Sequence, residues 1–134
     1  MIVGPCSLDT SVVMRLLVGD PVAQYRIARV FLDAQVFANH TVHVSDHVLA
    51  EAYFALQSFY EISKPEALSL LLKFTQESGI TATALAKEIL ALPALATAKP
   101  GFVDRLIHGA SQSAGHTLIT FEKAAKKLPA TLVL

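Results

Sequence analysis

Apolar positions along the chain alternate between short runs and helically spaced stripes. Ile2 to Leu8 is a short run that predicts a first strand, ended by Asp9. Behind Asp9, the residues Val12, Val13, Leu16 and Leu17 recur at helical spacing, so Asp9 is placed as an N-cap. Gly19-Asp20-Pro21 predicts a turn. Pro21 suits the first position of a second helix running to about Ala38, with Val22, Tyr25, Ala28, Arg29 and Leu32 on its pattern. His40 to Val44 reads as a second strand, and Ser45 as the cap of a helix through Val48, Leu49, Ala52, Tyr53, Leu56 and Tyr60. Ser63-Lys64-Pro65-Glu66 opens a leucine-rich helix, and Gly79 interrupts the chain beyond it. Ile80 to Thr83 predicts a brief third strand, followed by a helix from about Ala84 to Leu92. Pro93 to Gly101 breaks the helical pattern and predicts an ordered loop. A helix with Val103, Leu106, Ile107 and Ala110 begins near Phe102 and ends at Gly115. His116 to Phe121 then predicts a fourth strand, followed by a short basic helix and a last strand at Thr131 to Leu134. Strands alternating with helices predict an α/β fold whose mostly parallel sheet is covered on both faces.

The length of 134 residues suits one domain with a single core, and no repeat or low-complexity stretch divides residues 1–134. Hydrophobic residues make up 53% and charged residues 16%, against roughly 25% charged in an ordinary soluble domain. That excess predicts either apolar surface covered by a homodimer interface or a stably bound partner, or strands buried on both faces. Eleven basic residues balance eleven acidic ones, so no net field steers the protein toward nucleic acid or membrane, and a polyanionic partner must be held locally. No apolar run is long enough to span a bilayer. The first residues also lack a basic segment before Asp9, so a soluble cytoplasmic protein is expected. The lone Cys6 excludes an internal disulfide framework and fits a reducing compartment.

The sparse acidic residues are unevenly used. Asp9, Glu51, Asp104 and Glu122 each lie near a junction between an apolar segment and a helix start. In an open parallel sheet the segments leaving the carboxyl ends of the strands line a crevice where strand order reverses. With the first and fourth strands as neighbours, Asp9 and Glu122 flank that crevice. Glu51 stands less than two turns into the helix leaving the second strand. Asp104 opens a helix whose N-terminus returns to the same edge. Four carboxylates on one rim repel one another unless a cation neutralises them, which predicts a divalent metal site.

The segments Leu8-Asp9-Thr10-Ser11-Val12-Val13, Ser45-Asp46-His47-Val48-Leu49-Ala50-Glu51, Gly101-Phe102-Val103-Asp104-Arg105-Leu106-Ile107 and Leu118-Ile119-Thr120-Phe121-Glu122, in this order, resemble a PIN-domain ribonuclease. The likeness is greatest to the single-domain VapC-type toxins of toxin–antitoxin pairs. It implies a three-layer α/β/α sandwich with strand order 3-2-1-4-5 and hydrolysis of RNA phosphodiesters. It further implies a cognate antitoxin as protein partner. Two positions depart from the family pattern: Ser11 stands where asparagine is usual, and Glu122 replaces an aspartate.

On this resemblance Asp9 and Asp104 are the principal ligands of Mg²⁺ or Mn²⁺, whose preference for hard oxygen donors suits carboxylates. Glu51 is expected to hold and activate a metal-bound water, and Glu122 to support a second ion or the water network. Thr10, Ser11 and Thr120 are supporting polar groups. Arg15, Arg105, Lys123, Lys126 and Lys127 are candidates for phosphate contacts. The apolar neighbours of Glu51 predict that it has a buried flank. The aromatic residues of the early helices make that region the expected surface for a second copy or an antitoxin.

Plainer readings stand beside these. Asp9 as a cap, Asp104 as a helix-dipole partner and the lysines as a solvated face each need no ligand. His40, His43 and His47 straddle a strand and a helix start and do not share a face, which argues against zinc. Cys6 has no partner placed by the sequence to activate it. A non-catalytic PIN-like module that binds RNA or protein is the alternative function. A receiver or aspartyl-phosphate phosphatase lacks its second aspartate after Asp9-Thr10-Ser11.

Overall fold

The computed structural model describes residues 2–134. Two parallel ladders carry the fold. Strands β1 (Cys6–Ser7), β2 (Val42–His43) and β3 (Ile80–Thr81) pair in the order β1-β2-β3, and β4 (Leu118–Thr120) pairs with β5 (Thr131–Val133). Helices α1 (Thr10–Val18) and α2 (Val22–Phe37) lie between β1 and β2, and α3 (Asp46–Ser58) and α4 (Lys64–Gln76) between β2 and β3. Helices α5 (Ala84–Leu90) and α6 (Phe102–Ser113) lead to β4. Neighbouring helices pack in sequence, α1 on α2 and α3, α4 on α3 and α5, and α6 on α5.

Local chemistry starts and stops these elements where the pattern indicates. The side chains of Asp9, Ser45, Ser63 and Thr83 accept from the backbone N–H groups of Val12, Val48, Glu66 and Ala86, capping α1, α3, α4 and α5. Pro21 is the N-cap residue of α2, one position before its first helical residue. The basic segment after Glu122 is a 3-10 helix, Lys123–Lys127, and a single 3-10 turn, Leu95–Thr97, lies inside the loop before α6. Gly79 sits at φ +87, and a Cβ built there would lie 2.1 Å from Val36 Cγ2. The turn into β3 therefore requires both the backbone freedom and the missing side chain of glycine.

The core is built around β2, where Val42 in the strand and Val44 just after it are buried with Val13, Leu32, Leu49, Leu56 and Leu71. Register aligns Cys6, Val42 and Ile80 in one row and Ser7, His43 and Thr81 in the other. The second row is polar and exposed or half-buried, so helices cover the two faces unevenly. On the other ladder, Ile119 and Leu132 are paired in register and are about half exposed.

The strand orders 3-2-1 and 4-5 agree with the expected 3-2-1-4-5, but no ladder joins β1 to β4. The short β1 explains this. Cys6 N–H donates to Thr41 and Leu8 N–H to His43, so both residues turn toward β2. Only Ser7 presents backbone groups to the other edge, too few for a ladder.

Gln35 fixes the segment leading into β1. Fully buried on α2, its side chain accepts from Val3 N–H and donates to Gly4 O and Cys6 Sγ. A buried amide is costly unless satisfied, and here the satisfied amide fastens the strand to the helix.

Candidate functional site

Asp9 follows β1 directly and is exposed. Its Oδ1 accepts from Ser11 Oγ at 2.6 Å and from Val12 N–H at 3.2 Å. The Ser11 hydroxyl first, and then the Val12 N–H, hold the Asp9 carboxyl below its ordinary pKa. Serine at position 11 thus supplies a polar contact that orients Asp9. Thr10 is the first residue of α1 and is half-buried.

Glu51 projects from α3 into solvent, with its side chain 53% exposed and Oε1 2.8 Å from His47 Nε2 one turn earlier. The expected buried flank is not found. Helical periodicity turns Leu49, Ala52 and Tyr53 inward and leaves Glu51 on the opposite face.

Asp104 and Glu122 come together. Both line a hollow of about 400 Å³ with Tyr53, Phe54, Lys64 and the loop 96–101. Asp104 lies in the first turn of α6, where a negative charge is favoured by the helix dipole. Phe102 anchors that turn: it is 1% exposed and meets the Tyr53 ring edge-on at 5.3 Å. Glu122 Oε1 accepts from Ala124 N–H, and its own N–H donates to Thr120 Oγ1 at 2.9 Å, so Thr120 positions the Glu122 backbone. Glu51 and Phe54 are one turn apart on α3, but of the two only Phe54 lines the hollow.

The quartet is therefore gathered only in part. Asp104 and Glu122 share the hollow, whereas Asp9 and Glu51 do not line it. Among the described residues no three His, Cys, Asp or Glu side chains form a group able to hold one ion. The missing β1–β4 ladder accounts for this, since it is the pairing that would set Asp9 beside Glu122. The donor chemistry nonetheless fits Mg²⁺, which retains several waters and is commonly held by one or two carboxylates with substrate phosphate.

The basic candidates divide in the same way. Arg15 Nε donates to Gln24 Oε1 and lines a groove between α1 and α2, away from the hollow. Arg105 Nε donates to Pro100 O at 2.7 Å, latching the loop before α6. Lys123 and Lys126 line a separate recess beside β5, and Lys127 is exposed. Two lysines line the acidic hollow: Lys99 in the loop before α6, and Lys64, which carried no signal in the sequence beyond its place at a helix start. Packing of α4 beside α3 brings it there, and local patterning does not report such packing. His47 had a legible signal, the spacing of four residues to Glu51.

No helix among the described residues is long and apolar enough to cross a membrane. No curated protein matches the chain. A family model, the PIN domain, matches residues 7–130, which include all four acidic positions and every strand except β5 and the first residue of β1. With this match, the α/β architecture and the parallel strands, the chain belongs to the PIN domain family, whose members are commonly nucleases.

Proposed function

We propose that this protein is a metal-dependent endoribonuclease acting in the cytoplasm as the toxin of a toxin–antitoxin pair. The observation that carries the reading is the meeting of Asp104 and Glu122 beside Lys64 in one hollow of a PIN domain. Further support comes from Asp9, whose carboxylate is held ionised at the end of β1.

Asp9 and Asp104 would hold Mg²⁺ or Mn²⁺, with Glu51 and Glu122 acting through water or a second ion. When bound, the ion orients the scissile phosphate and offsets the charge that develops on its oxygens. Lys64 draws the phosphate backbone of RNA to the hollow and tempers the repulsion between Asp104 and Glu122. Glu51 accepts a proton from the attacking water at its exposed carboxylate, which lies 2.8 Å from His47 Nε2. Ser11 and Thr120 fix the directions of Asp9 and Glu122.

The test is cleavage of a total RNA preparation with Mg²⁺ or Mn²⁺, against a chelator control. Asp104→Asn should abolish cleavage and growth inhibition while leaving the circular dichroism spectrum unchanged. Retained cleavage by a folded Asp104→Asn protein refutes the assignment. The toxin role is checked in the genome, where a small neighbouring reading frame for a DNA-binding antitoxin is expected, and by relief of growth inhibition on co-expression.

One observation favours a second reading, a non-catalytic module that binds RNA or protein. It is the division of the acidic residues into a pair within the hollow and two outside it. Calorimetric titration with Mn²⁺ separates the readings, because a non-catalytic module gives no heat that disappears in Asp104→Asn.

A further inference from the structure

Phe54 sets an aromatic ring in the wall of the acidic hollow. It is 55% exposed, whereas Tyr53 beside it and Phe102 beyond are buried. Tyr53 meets each of the other two rings edge-on at 5.3 Å, so the buried pair braces Phe54 while more than half of Phe54 stays open.

The same hollow holds both signs of charge, Asp104 and Glu122 with Lys64 and Lys99. Both lysines are exposed, and neither takes part in an ion pair among the described residues. Lys64 is the first residue of α4. Lys99 follows the 3-10 turn Leu95–Thr97 and precedes Pro100, whose carbonyl Arg105 Nε holds at 2.7 Å. Two ammonium groups therefore stand on anchored backbone, available to an anion. An open ring, two such cations and a carboxylate pair within about 400 Å³ complement one nucleotide: a flat base, a phosphate, and the cation that a phosphate brings.

We propose that the hollow takes a single unpaired nucleotide of RNA, its base stacked on Phe54 and its phosphate held by Lys64 and Lys99. That the ligand is RNA rests on the nuclease reading; what the hollow adds is a means of selecting single strands. A base inside a duplex is covered on both faces and offers nothing to Phe54 until it leaves the stack. Every base has a π-face, so Phe54 selects for an unpaired strand more than for sequence.

The test is fluorescence anisotropy of an end-labelled oligoadenylate with Ca²⁺ in place of Mg²⁺, set against the same ribose-phosphate chain without bases. Circular dichroism confirms folding. Phe54→Ala should weaken oligoadenylate binding by about tenfold and leave binding of the abasic chain unchanged. Phe54→Tyr should bind as wild type does, and Phe54→Leu, which keeps apolar bulk without a ring, as Phe54→Ala does. Lys64→Gln and Lys99→Gln should each lower the slope of log affinity against log salt by about 0.7. A wild type that does not bind oligoadenylate, a Phe54→Leu protein that binds it fully, or a Phe54→Ala loss equally large on the abasic chain overturns the proposal. Metal-dependent cleavage of total RNA by the same proteins is read separately. Cleavage abolished by Asp104→Asn, with oligoadenylate affinity indifferent to Phe54, overturns the stacking and leaves the nuclease reading standing. Base-dependent binding through Phe54 without any cleavage upholds the stacking and overturns the nuclease reading.

Discussion

Replacing Asp9 in two ways separates its structural role from its chemical one. Asp9 Oδ1 accepts two hydrogen bonds at the start of α1, from Ser11 Oγ at 2.6 Å and Val12 N–H at 3.2 Å. An asparagine retains a carbonyl oxygen able to accept both, and Asn and Asp are comparable N-caps, so Asp9→Asn should stay within about 0.5 kcal/mol of wild type. Alanine accepts neither bond and should cost about 1 kcal/mol, a fall in Tm of about 3–5 °C for a chain of this size. Both variants lose the negative charge and should lose RNA cleavage alike, by more than about 100-fold, since even groups that only support a metal ligand give roughly 10–100-fold. Ser11→Ala, which removes only the orienting hydroxyl, should retain activity lowered by about tenfold. The assays are thermal melts followed by circular dichroism and Mg²⁺-dependent cleavage at saturating metal. Full cleavage by Asp9→Asn would remove Asp9 from the chemistry. Equal melting temperatures for the asparagine and alanine variants would refute the cap.

The remaining expectations concern the scaffold and pH. Gly79→Ala must resolve a 2.1 Å approach to Val36 Cγ2 at a positive φ, and should lower stability in urea by about 2–4 kcal/mol; a loss below about 0.5 kcal/mol would refute the close approach. Gln35→Leu leaves Val3 N–H and Gly4 O without their partner and should cost about 2–4 kcal/mol, with early exchange of amides near β1. Because the folded pKa of Asp9 is depressed, its carboxylate contributes stability that is present above the ordinary value of 3.8 and is lost as pH falls through the lower folded value. The wild type should therefore lose its margin over Asp9→Asn only below about pH 4, as read by melts across acid pH. Phe102→Ala empties a site that is 1% exposed beneath Asp104 and should cost about 3–5 kcal/mol, with cleavage falling even at temperatures where the variant is folded.

Much of the architecture was written locally. The six helices, the five strands in their order and the caps Asp9, Ser45 and Ser63 follow from periodicity and from side chains that accept from N–H groups three residues on. Such signals act within one turn of chain and survive whatever packs around them. The resemblance carried by the acidic segments agrees with the family match over residues 7–130. Strand lengths were less legible: the runs at Ile2 to Leu8 and His40 to Val44 shrink to two-residue strands, because apolar residues beyond a ladder look the same as those within it.

The sequence by itself determined which residues bear the charge and which segments are helices or strands, since both are properties of single residues and their near neighbours. Tertiary structure alone decided which of them meet. It set Asp104 and Glu122 with Lys64 and Lys99 in one hollow. It also left β1 without a ladder to β4, and Ile27, Val30 and Phe37 of α2 exposed. These outcomes depend on contacts between residues far apart in the chain, whose energies are collected only when whole elements dock and which leave little imprint on local spacing.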